Sequence, residues 1–137
     1  MTFVIDASSA LRLVFDDEGA DTRRQIEDHL RRDPDALAPT LFLEETSNAL
    51  VTAARRGRIS AADALDHLGR LARLPIRIAH HVASPASLVT LALQHDLTAY
   101  DATYLELALF VRAPLLAHDD ALRRAAHDEG IAAGAAD

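Results

Sequence analysis

One stretch near the start of the chain decides the fold class: Thr2-Phe3-Val4-Ile5-Asp6-Ala7-Ser8-Ser9. Its first four residues are a short apolar run rich in β-formers, which predicts a buried strand. Directly after Asp6 the sequence becomes helix-forming, and we expect a helix from Ala7 to Phe15. A buried strand that passes at once into a helix is typical of α/β proteins, so we expect an α/β domain.

The alternation of strands and helices continues to the end of the chain. Further strands are predicted at 36–38, 76–79 and 115–117, with a last edge strand at 131–133. Helices are predicted at 18–32, about 39–56, 60–74, 84–95, 98–112 and 120–128. No linker or repeat interrupts this pattern. Residues 1–137 are therefore predicted to be a single domain with a parallel sheet covered by helices on both faces.

Local signals set the ends of two of these helices. Pro39 is expected early in the helix at 39–56, and Gly57 just past its end. Ser60 and Asp63 have the spacing of a capping box at the start of the next helix. That helix is expected to present an apolar stripe formed by Leu65, Leu68 and Leu71.

The composition excludes several classes of function. The 137-residue chain has no cysteine, which excludes disulfides, thiolate catalysis and cysteine-ligated zinc. The pair His80-His81 is not spaced like a zinc site either. No apolar run is long enough to span a membrane, and no secretory signal is recognisable. We therefore expect a cytoplasmic protein that is not associated with a membrane.

Arginine supplies all of the positive charge. The net charge is −7, yet all 14 basic residues are arginine, and several are clustered. Arginine can bind a phosphate with two parallel hydrogen bonds, so a cluster could contact RNA. The other interpretation is a solvated face in a protein encoded by a GC-rich genome. Arg55, Arg56 and Arg58 are the first RNA-binding candidates, because they follow the helix that carries Glu45.

Two acids are expected at the carboxyl ends of strands. Asp6 follows the first strand, and Asp119 lies two residues past the predicted end of the fourth. Sites in parallel sheets lie beyond the carboxyl ends of the strands, so these carboxylates share a crevice if the two strands are neighbours. The plainer alternative is that each acid, or Asp120 in place of Asp119, only caps the helix that follows.

Two further acids lie within predicted helices. Glu45 is four residues from both Leu41 and Ala49, which places it on an otherwise apolar face where an acid needs a partner. Asp101 comes three residues after Thr98, the spacing of a capping box, and an acid in a first turn is also placed to hold a cation. The alternatives are that Glu45 faces solvent and that Asp101 is only part of a cap.

The combination of these acids is more informative than any one of them. Carboxylates gathered in one crevice repel each other, and their pKa values rise unless a cation neutralises them. Oxygen ligands select Mg²⁺ or Mn²⁺, which lower the pKa of bound water and neutralise charge on a phosphate. A metal-dependent phosphodiesterase site is therefore predicted at Asp6, Glu45, Asp101 and Asp119.

Five motifs, in this order and spacing, resemble the PIN-domain ribonucleases and, more narrowly, the VapC-type toxins of bacterial toxin–antitoxin pairs. They are 4–8 with Ala10-Leu11, then 38–50, 56–60, 97–105 and 115–119, so the resemblance covers essentially the whole chain. It implies a three-layer α/β/α sandwich with a parallel sheet of four to five strands, in which the first and fourth strands are neighbours. It also implies that Asp6, Glu45, Asp101 and Asp119 are the catalytic acids. Within the family, the positions of Asp6 and Asp101 are usually assigned to the metal, and that of Ser8 to a supporting hydroxyl.

One position departs from the family pattern. The family commonly has Thr or Ser two residues before the last acid, where this chain has Ala117. A supporting hydrogen bond is therefore missing there or supplied elsewhere, for example by His118.

The resulting hypothesis is a Mg²⁺-dependent endoribonuclease toxin that hydrolyses phosphodiester bonds of structured RNA. The resemblance further implies a cognate antitoxin and a homodimer. Two alternatives stay open: a non-catalytic PIN module that binds RNA or a protein partner, and a housekeeping RNA- or DNA-processing nuclease of the same fold.

Overall fold

A parallel sheet with helices around it forms the domain. The computed structural model describes residues 2–15 and 20–132. The strands in these ranges are β1 (Phe3–Ile5), β2 (Ala36–Pro39), β3 (Ile76–Ala79) and β4 (Leu115–Leu116). The helices are α1 (Ala7–Leu11), α2 (Ala20–Arg32), α3 (Leu41–Arg55), α4 (Ala61–Ala72), α5 (Pro85–His95), α6 (Ala99–Val111) and α7 (Asp120–Asp128). The predicted α/β fold with a parallel sheet is confirmed.

The order of the strands places the ends of β1 and β4 side by side. The sheet has the order β3-β2-β1-β4, and every pair of neighbouring strands is parallel. Val4 is paired with Leu115, and Ile5 with Leu116, so the expected neighbourhood of the first and fourth strands is confirmed. The chain moves from β1 outward to β2 and β3, then returns across β1 to β4. A reversal of this kind leaves a crevice beyond the carboxyl ends of the two central strands.

The core is concentrated around these two strands. All three residues of β1 and both residues of β4 are buried, and α6 packs on β1 and β2 with Tyr104, Leu105 and Leu107 almost completely buried. The edge strand β3 and the helix α5, which packs on α6, have no buried residue. The buried part of the sheet therefore includes the carboxyl ends of β1 and β4.

Two helices begin or end differently from the sequence prediction. We expected α1 to continue to Phe15, but it ends at Leu11. The residues that follow form a turn in which each N–H donates to the third residue back, Leu13 to Ala10 O at 3.0 Å and Val14 to Leu11 O at 3.1 Å. The prediction for Pro39 was also wrong, since Pro39 ends β2 and α3 begins at Leu41. Proline fixes a backbone angle φ that suits both a strand and a helix start, so sequence did not distinguish them.

The apolar stripe predicted on α4 is only partly buried. The capping box of Ser60 and Asp63 is present, but Leu65 is 71% and Leu68 41% exposed, and of the three predicted stripe residues only Leu71 is buried. This helix packs mainly against α3, and two of the three stripe residues lie outside that contact.

The predicted edge strand at 131–133 is not formed by residues 131–132, and Ala133 lies outside the described residues. In the described part of this segment, Leu115 N–H donates to Ala132 O at 3.0 Å. The predicted start of the second helix at Glu18 also lies outside the described residues. Within the described ranges, no helix has the length and apolar character needed to cross a membrane.

Candidate active site

Asp6 occupies the carboxyl end of β1 and is only 5% exposed. Its backbone N–H donates to Leu116 O at 3.1 Å, which ties it to the end of β4. Its carboxylate caps α1 by accepting from Ser9 N–H at 2.9 Å, and it also accepts from the backbone N–H of His118. Burial nevertheless raises the pKa of Asp6 to about 6, and the negative charge of Asp101 acts in the same direction. The capping role foreseen for Asp6 is real, but a cap alone does not require a buried acid.

Glu45 is half-buried on α3 and has a partner from a distant part of the chain. The phenol of Tyr104, on α6, donates to Glu45 Oε1 at 2.5 Å. Burial raises the pKa of Glu45, and repulsion from Asp101 adds to this effect, although the Tyr104 hydrogen bond lowers the pKa. The partner that an acid on this face was expected to need is therefore Tyr104.

Asp101 and Asp119 both lie at the start of a helix. Thr98 caps α6 by accepting from Asp101 N–H at 3.0 Å, and Asp119 caps α7 by accepting from Leu122 N–H at 3.0 Å. Burial raises the pKa of Asp101, and the charge of Asp119 raises it further, while a hydrogen bond with Thr98 lowers it. Asp119 is itself exposed. Thr98 and Asp119 are therefore the N-caps of α6 and α7, and the charge of Asp119 acts on Asp101.

The four acids form one electrostatic network, in which Asp101 is the common member. Its charge acts on Asp6 and on Glu45, and the charge of Asp119 acts on it. Among the described residues, the charged groups that shift the pKa values of Asp6, Glu45 and Asp101 are all acids of this same set. We call these four residues the acidic network. Residues from three other segments therefore lie within electrostatic reach of Asp101, beside the crevice that the strand order predicts.

The network is not a preformed metal cage. Over residues 2–15 and 20–132, no three Asp, Glu or His side chains stand in the close arrangement of a metal site. Mg²⁺ does not require one, because it keeps several waters and is often held by one or two carboxylates together with substrate phosphates. The oxygen-only donor set and the mutual repulsion of the acids fit a hard divalent cation bound in this open way.

Basic residues lie beside the network but not all where the sequence suggested. Arg58 stacks its guanidinium 4.4 Å above the centre of the Phe15 ring, next to a cavity of about 230 Å³. Arg55 and Arg56, the other two candidates, are exposed and do not line that cavity. The cavity is also lined by Ser8, which is exposed on α1.

One contribution to the network was not predicted, and a second goes to a different acid than expected. Tyr104 was not among the predicted site residues, although it lies one helical turn after Asp101 and so faces the same side of α6. A buried phenol at that spacing from an acid is the signal that could have identified it. Ala117 is fully buried and has no hydroxyl, and the N–H of His118 supports Asp6 rather than Asp119.

Comparisons with known proteins agree with this architecture. The family model of the PIN domain matches residues 3–128. Among solved structures, the crystal structure of PAE2754 from Pyrobaculum aerophilum superposes with a TM-score of 0.72 at 22% sequence identity, over 91% of this chain and 84% of that one. At this identity the likeness concerns the fold alone. A comparison with curated proteins gave no match.

Proposed function

Because the chain belongs to the PIN-domain family, whose members are generally metal-dependent nucleases, we propose that it is a Mg²⁺-dependent endoribonuclease and the toxin of a toxin–antitoxin pair. Its substrate is structured RNA, and the bond that it hydrolyses is the phosphodiester. Mn²⁺ is an alternative cofactor, since it prefers the same oxygen ligands.

One observation carries this proposal: burial raises the pKa values of Asp6, Glu45 and Asp101, and the charge of another acid of the network raises each of them further. Keeping Asp6 buried and ionised costs stability, because its pKa is raised to about 6. A protein that needed only a helix cap could use Asn or Ser at that position without this cost. The cost is explained if a cation and a substrate phosphate complete the network.

The acids of the network have two kinds of role in the proposed reaction. Asp6 and Asp101 would hold the metal, and Asp119 would hold it directly or through water. The chemistry that a bound Mg²⁺ supplies is a water of lowered pKa and neutralisation of charge on the phosphate. Glu45 holds metal or orients the attacking water. The Tyr104 phenol donates to Oε1 of Glu45, which leaves Oε2 and the second lone pair of Oε1 to accept a hydrogen bond from that water.

The homodimer and the antitoxin belong to the same proposal, through the resemblance to VapC-type toxins. A surface that a partner could cover is present on α5, where Val89 is 56% and Leu93 80% exposed. These residues are four apart and so share one side of the helix, which we call the α5 face. A second copy of this chain is the partner we assign to it.

The experiment is cleavage of structured RNA by the purified protein under defined metal conditions. We expect cleavage with Mg²⁺ or Mn²⁺, none with EDTA, and recovery when excess Mg²⁺ is restored. Full activity after complete removal of divalent cations would contradict the mechanism. Expression in a bacterial host should also arrest growth, and co-expression of a small DNA-binding protein encoded beside the gene should restore it.

The same experiment distinguishes the two alternatives. RNA binding without cleavage under any metal condition would favour a non-catalytic PIN module. Cleavage without growth arrest, and without a neighbouring antitoxin gene, would favour a housekeeping nuclease. Neither alternative has an observation in its favour that the toxin proposal lacks.

A further inference from the structure

An exposed aromatic ring lies beside the acidic network. Tyr100 directly precedes Asp101 in the first turn of α6, and it is 64% exposed, whereas Tyr104, the other tyrosine of the chain, is buried. In the part of the chain that the structure describes, no other aromatic ring covers a face of the Tyr100 ring. A single exposed apolar side chain needs no special explanation, so the position of Tyr100 relative to the acids decides whether it has a role.

Helical geometry places Tyr100 on the side of α6 that borders the network. Successive residues of an α-helix are rotated by about 100°, so Tyr100, Tyr104 and Asp101 lie in that order within an arc of about 100°. Asp101 interacts electrostatically with the other acids, and Tyr104 donates to Glu45. Because the Cα atoms of Tyr100 and Asp101 are about 3.8 Å apart, the ring lies at the solvent-exposed edge of the network.

Of the large apolar side chains that are exposed in residues 2–15 and 20–132, two are aromatic, Tyr100 and Phe110. Phe110 lies near the other end of α6, and the ring of His81 stacks on it with centroids 3.8 Å apart and planes 10° from parallel. One face of Phe110 is therefore occupied, and its position is far along the helix from Asp101. Tyr100 is the exposed ring that lies next to the acids.

An aromatic ring at this place offers RNA an attraction that does not depend on charge. Proteins recognise RNA mostly at unpaired nucleotides, whose bases can stack on aromatic side chains. Stacking of one base on such a ring changes affinity by roughly fivefold to 100-fold. The phosphates of RNA and the acids of the network repel each other, so a contact made through the base helps to hold the strand there without adding charge.

We propose that Tyr100 stacks against the base of an unpaired nucleotide next to the scissile phosphate, and so positions the RNA strand over the acidic network. The inference rests on the proposed nuclease function and adds a determinant of how its substrate is held. Every base has a π-face, so this contact selects an unpaired nucleotide at that position rather than a particular base. Tyr100 binds the substrate, and the reacting phosphate lies at the acids.

The test removes the ring and the base separately and then together. An RNA oligonucleotide with a single cleavage site is prepared with an abasic ribose at each nucleotide flanking that site, one at a time, so that every phosphate is kept. For the wild type, we expect the abasic ribose at one flanking position to raise KM roughly tenfold, with kcat changed much less. In Tyr100→Ala, the KM for intact RNA should rise by a similar factor, and the additional abasic penalty at that position should disappear, because ring and base contribute through one contact.

Two further variants identify the property of the side chain that matters. Tyr100→Phe keeps the ring without its hydroxyl, so the wild-type KM and the abasic penalty should both be retained. Tyr100→Leu keeps apolar bulk without a π-face, so it should behave like Tyr100→Ala, and it serves in its place if the alanine variant is less stable. Thermal unfolding of each variant shows whether the fold is preserved.

Phe110→Ala is the matched control. It removes the other exposed aromatic ring of α6, at the end of the helix far from Asp101. The KM for RNA and the abasic penalty should both stay at their wild-type values. A rise in KM as large as that of Tyr100→Ala would show that the loss is not specific to the ring beside the network, and would overturn the inference.

The remaining outcomes separate this inference from the proposed function. If the wild type cleaves no RNA, the proposed function fails, and the assignment of Tyr100 to an RNA base fails with it. If the wild type cleaves RNA but no flanking abasic position carries a penalty, or the full penalty persists in Tyr100→Ala, the inference is overturned and the nuclease function stands. The inference also fails if Tyr100→Phe loses as much as Tyr100→Ala, since the hydroxyl rather than the ring would then make the contact.

Discussion

The acidic network and the α5 face are opposite departures from ordinary packing. In the network, Asp6 is 5% exposed although it is an ionisable acid, and its pKa is raised to about 6. On the α5 face, Val89 and Leu93 are 56% and 80% exposed although they are hydrocarbon side chains. The first region buries charge and the second exposes apolar surface, so neither is what folding stability alone would favour.

The two regions differ in what compensates for the unfavourable burial of charge or exposure of apolar surface. The network borders the buried core formed by β1, β4 and α6, so packing can hold its acids together despite their repulsion. The α5 face lies on a helix that packs on α6 but has no buried residue, and a second copy of the chain is the cover that we assign to it. We therefore expect changes in the network to affect chemistry strongly, and changes on the α5 face to affect association with little effect on folding.

The largest effect is expected for Asp101→Asn, because Asp101 interacts electrostatically with each of the other three acids of the network. Activity in Mg²⁺ should fall by roughly 10²- to 10³-fold in kcat, the range found when one electrostatic contribution to an active site is removed. Thermal stability in EDTA should hold or rise slightly, because repulsion is relieved. Steady-state cleavage and thermal unfolding of the same preparations measure the two effects.

Asp96→Asn is the matched control for this variant. Asp96 is an exposed acid just before the same helix, with φ of 54°, a left-handed conformation that Asn also adopts readily. The control makes the same chemical change without touching the network, so activity and stability should stay close to wild type. Equal losses of activity in both variants would contradict the special role of Asp101.

A smaller effect, on stability, is expected from the titration of Asp6. Folding raises the pKa of Asp6 from 3.8 to about 6, so the folded protein binds this proton more tightly than the unfolded chain does. The stability contributed by the protonated form is present at low pH and is lost as the pH rises from about 4 to about 6. Without metal, this single group should therefore cost about 3 kcal/mol of unfolding free energy at pH 7.5.

Asp6→Asn isolates that effect, because Asn keeps the shape and the capping ability but has no charge to bury. In EDTA, the variant should be more stable than wild type by up to about 3 kcal/mol at pH 7.5, with little difference at pH 4. Added Mg²⁺ should reduce the difference at pH 7.5, since it stabilises the wild-type network preferentially. Denaturant unfolding at the two pH values measures this, and equal stability at both would contradict a buried, strained Asp6.

Local sequence signals predicted most of the fold. The bounds of α7 follow from an acid cap at Asp119 and a stop at Gly130, and the strand β3 and the helix α5 were also predicted at their observed positions. In each case, the residues that decide the structure are adjacent in sequence. The exposure of Leu65 and Leu68 could not be predicted in this way, because the 3.6-residue repeat shows that a helix has an apolar side but not whether another element covers it.

The same distinction applies to the candidate site. Asp6 and Asp119 could be placed together from sequence, since each follows a strand and parallel strands end at one edge of the sheet. The bond between Tyr104 and Glu45 could not be predicted, because it joins residues 59 positions apart through the packing of two helices. The cavity beside Phe15 likewise could not be predicted, because its walls come from three separate segments of the chain.

The smallest effect on folding is expected on the α5 face. Leu93→Glu places a charge at a position that is 80% exposed, so the stability of the monomer should change by no more than about 0.5 kcal/mol. If a second copy of the chain covers this face, the same change buries a charge in the interface and should convert the homodimer to monomers, measured by sedimentation equilibrium and light scattering. Gln94→Glu adds the same charge one residue further along α5, off the face, and should leave the dimer intact. A wild-type protein that stays monomeric, or a Leu93→Glu variant that stays dimeric, would show that the exposed leucine and valine are not the homodimer contact.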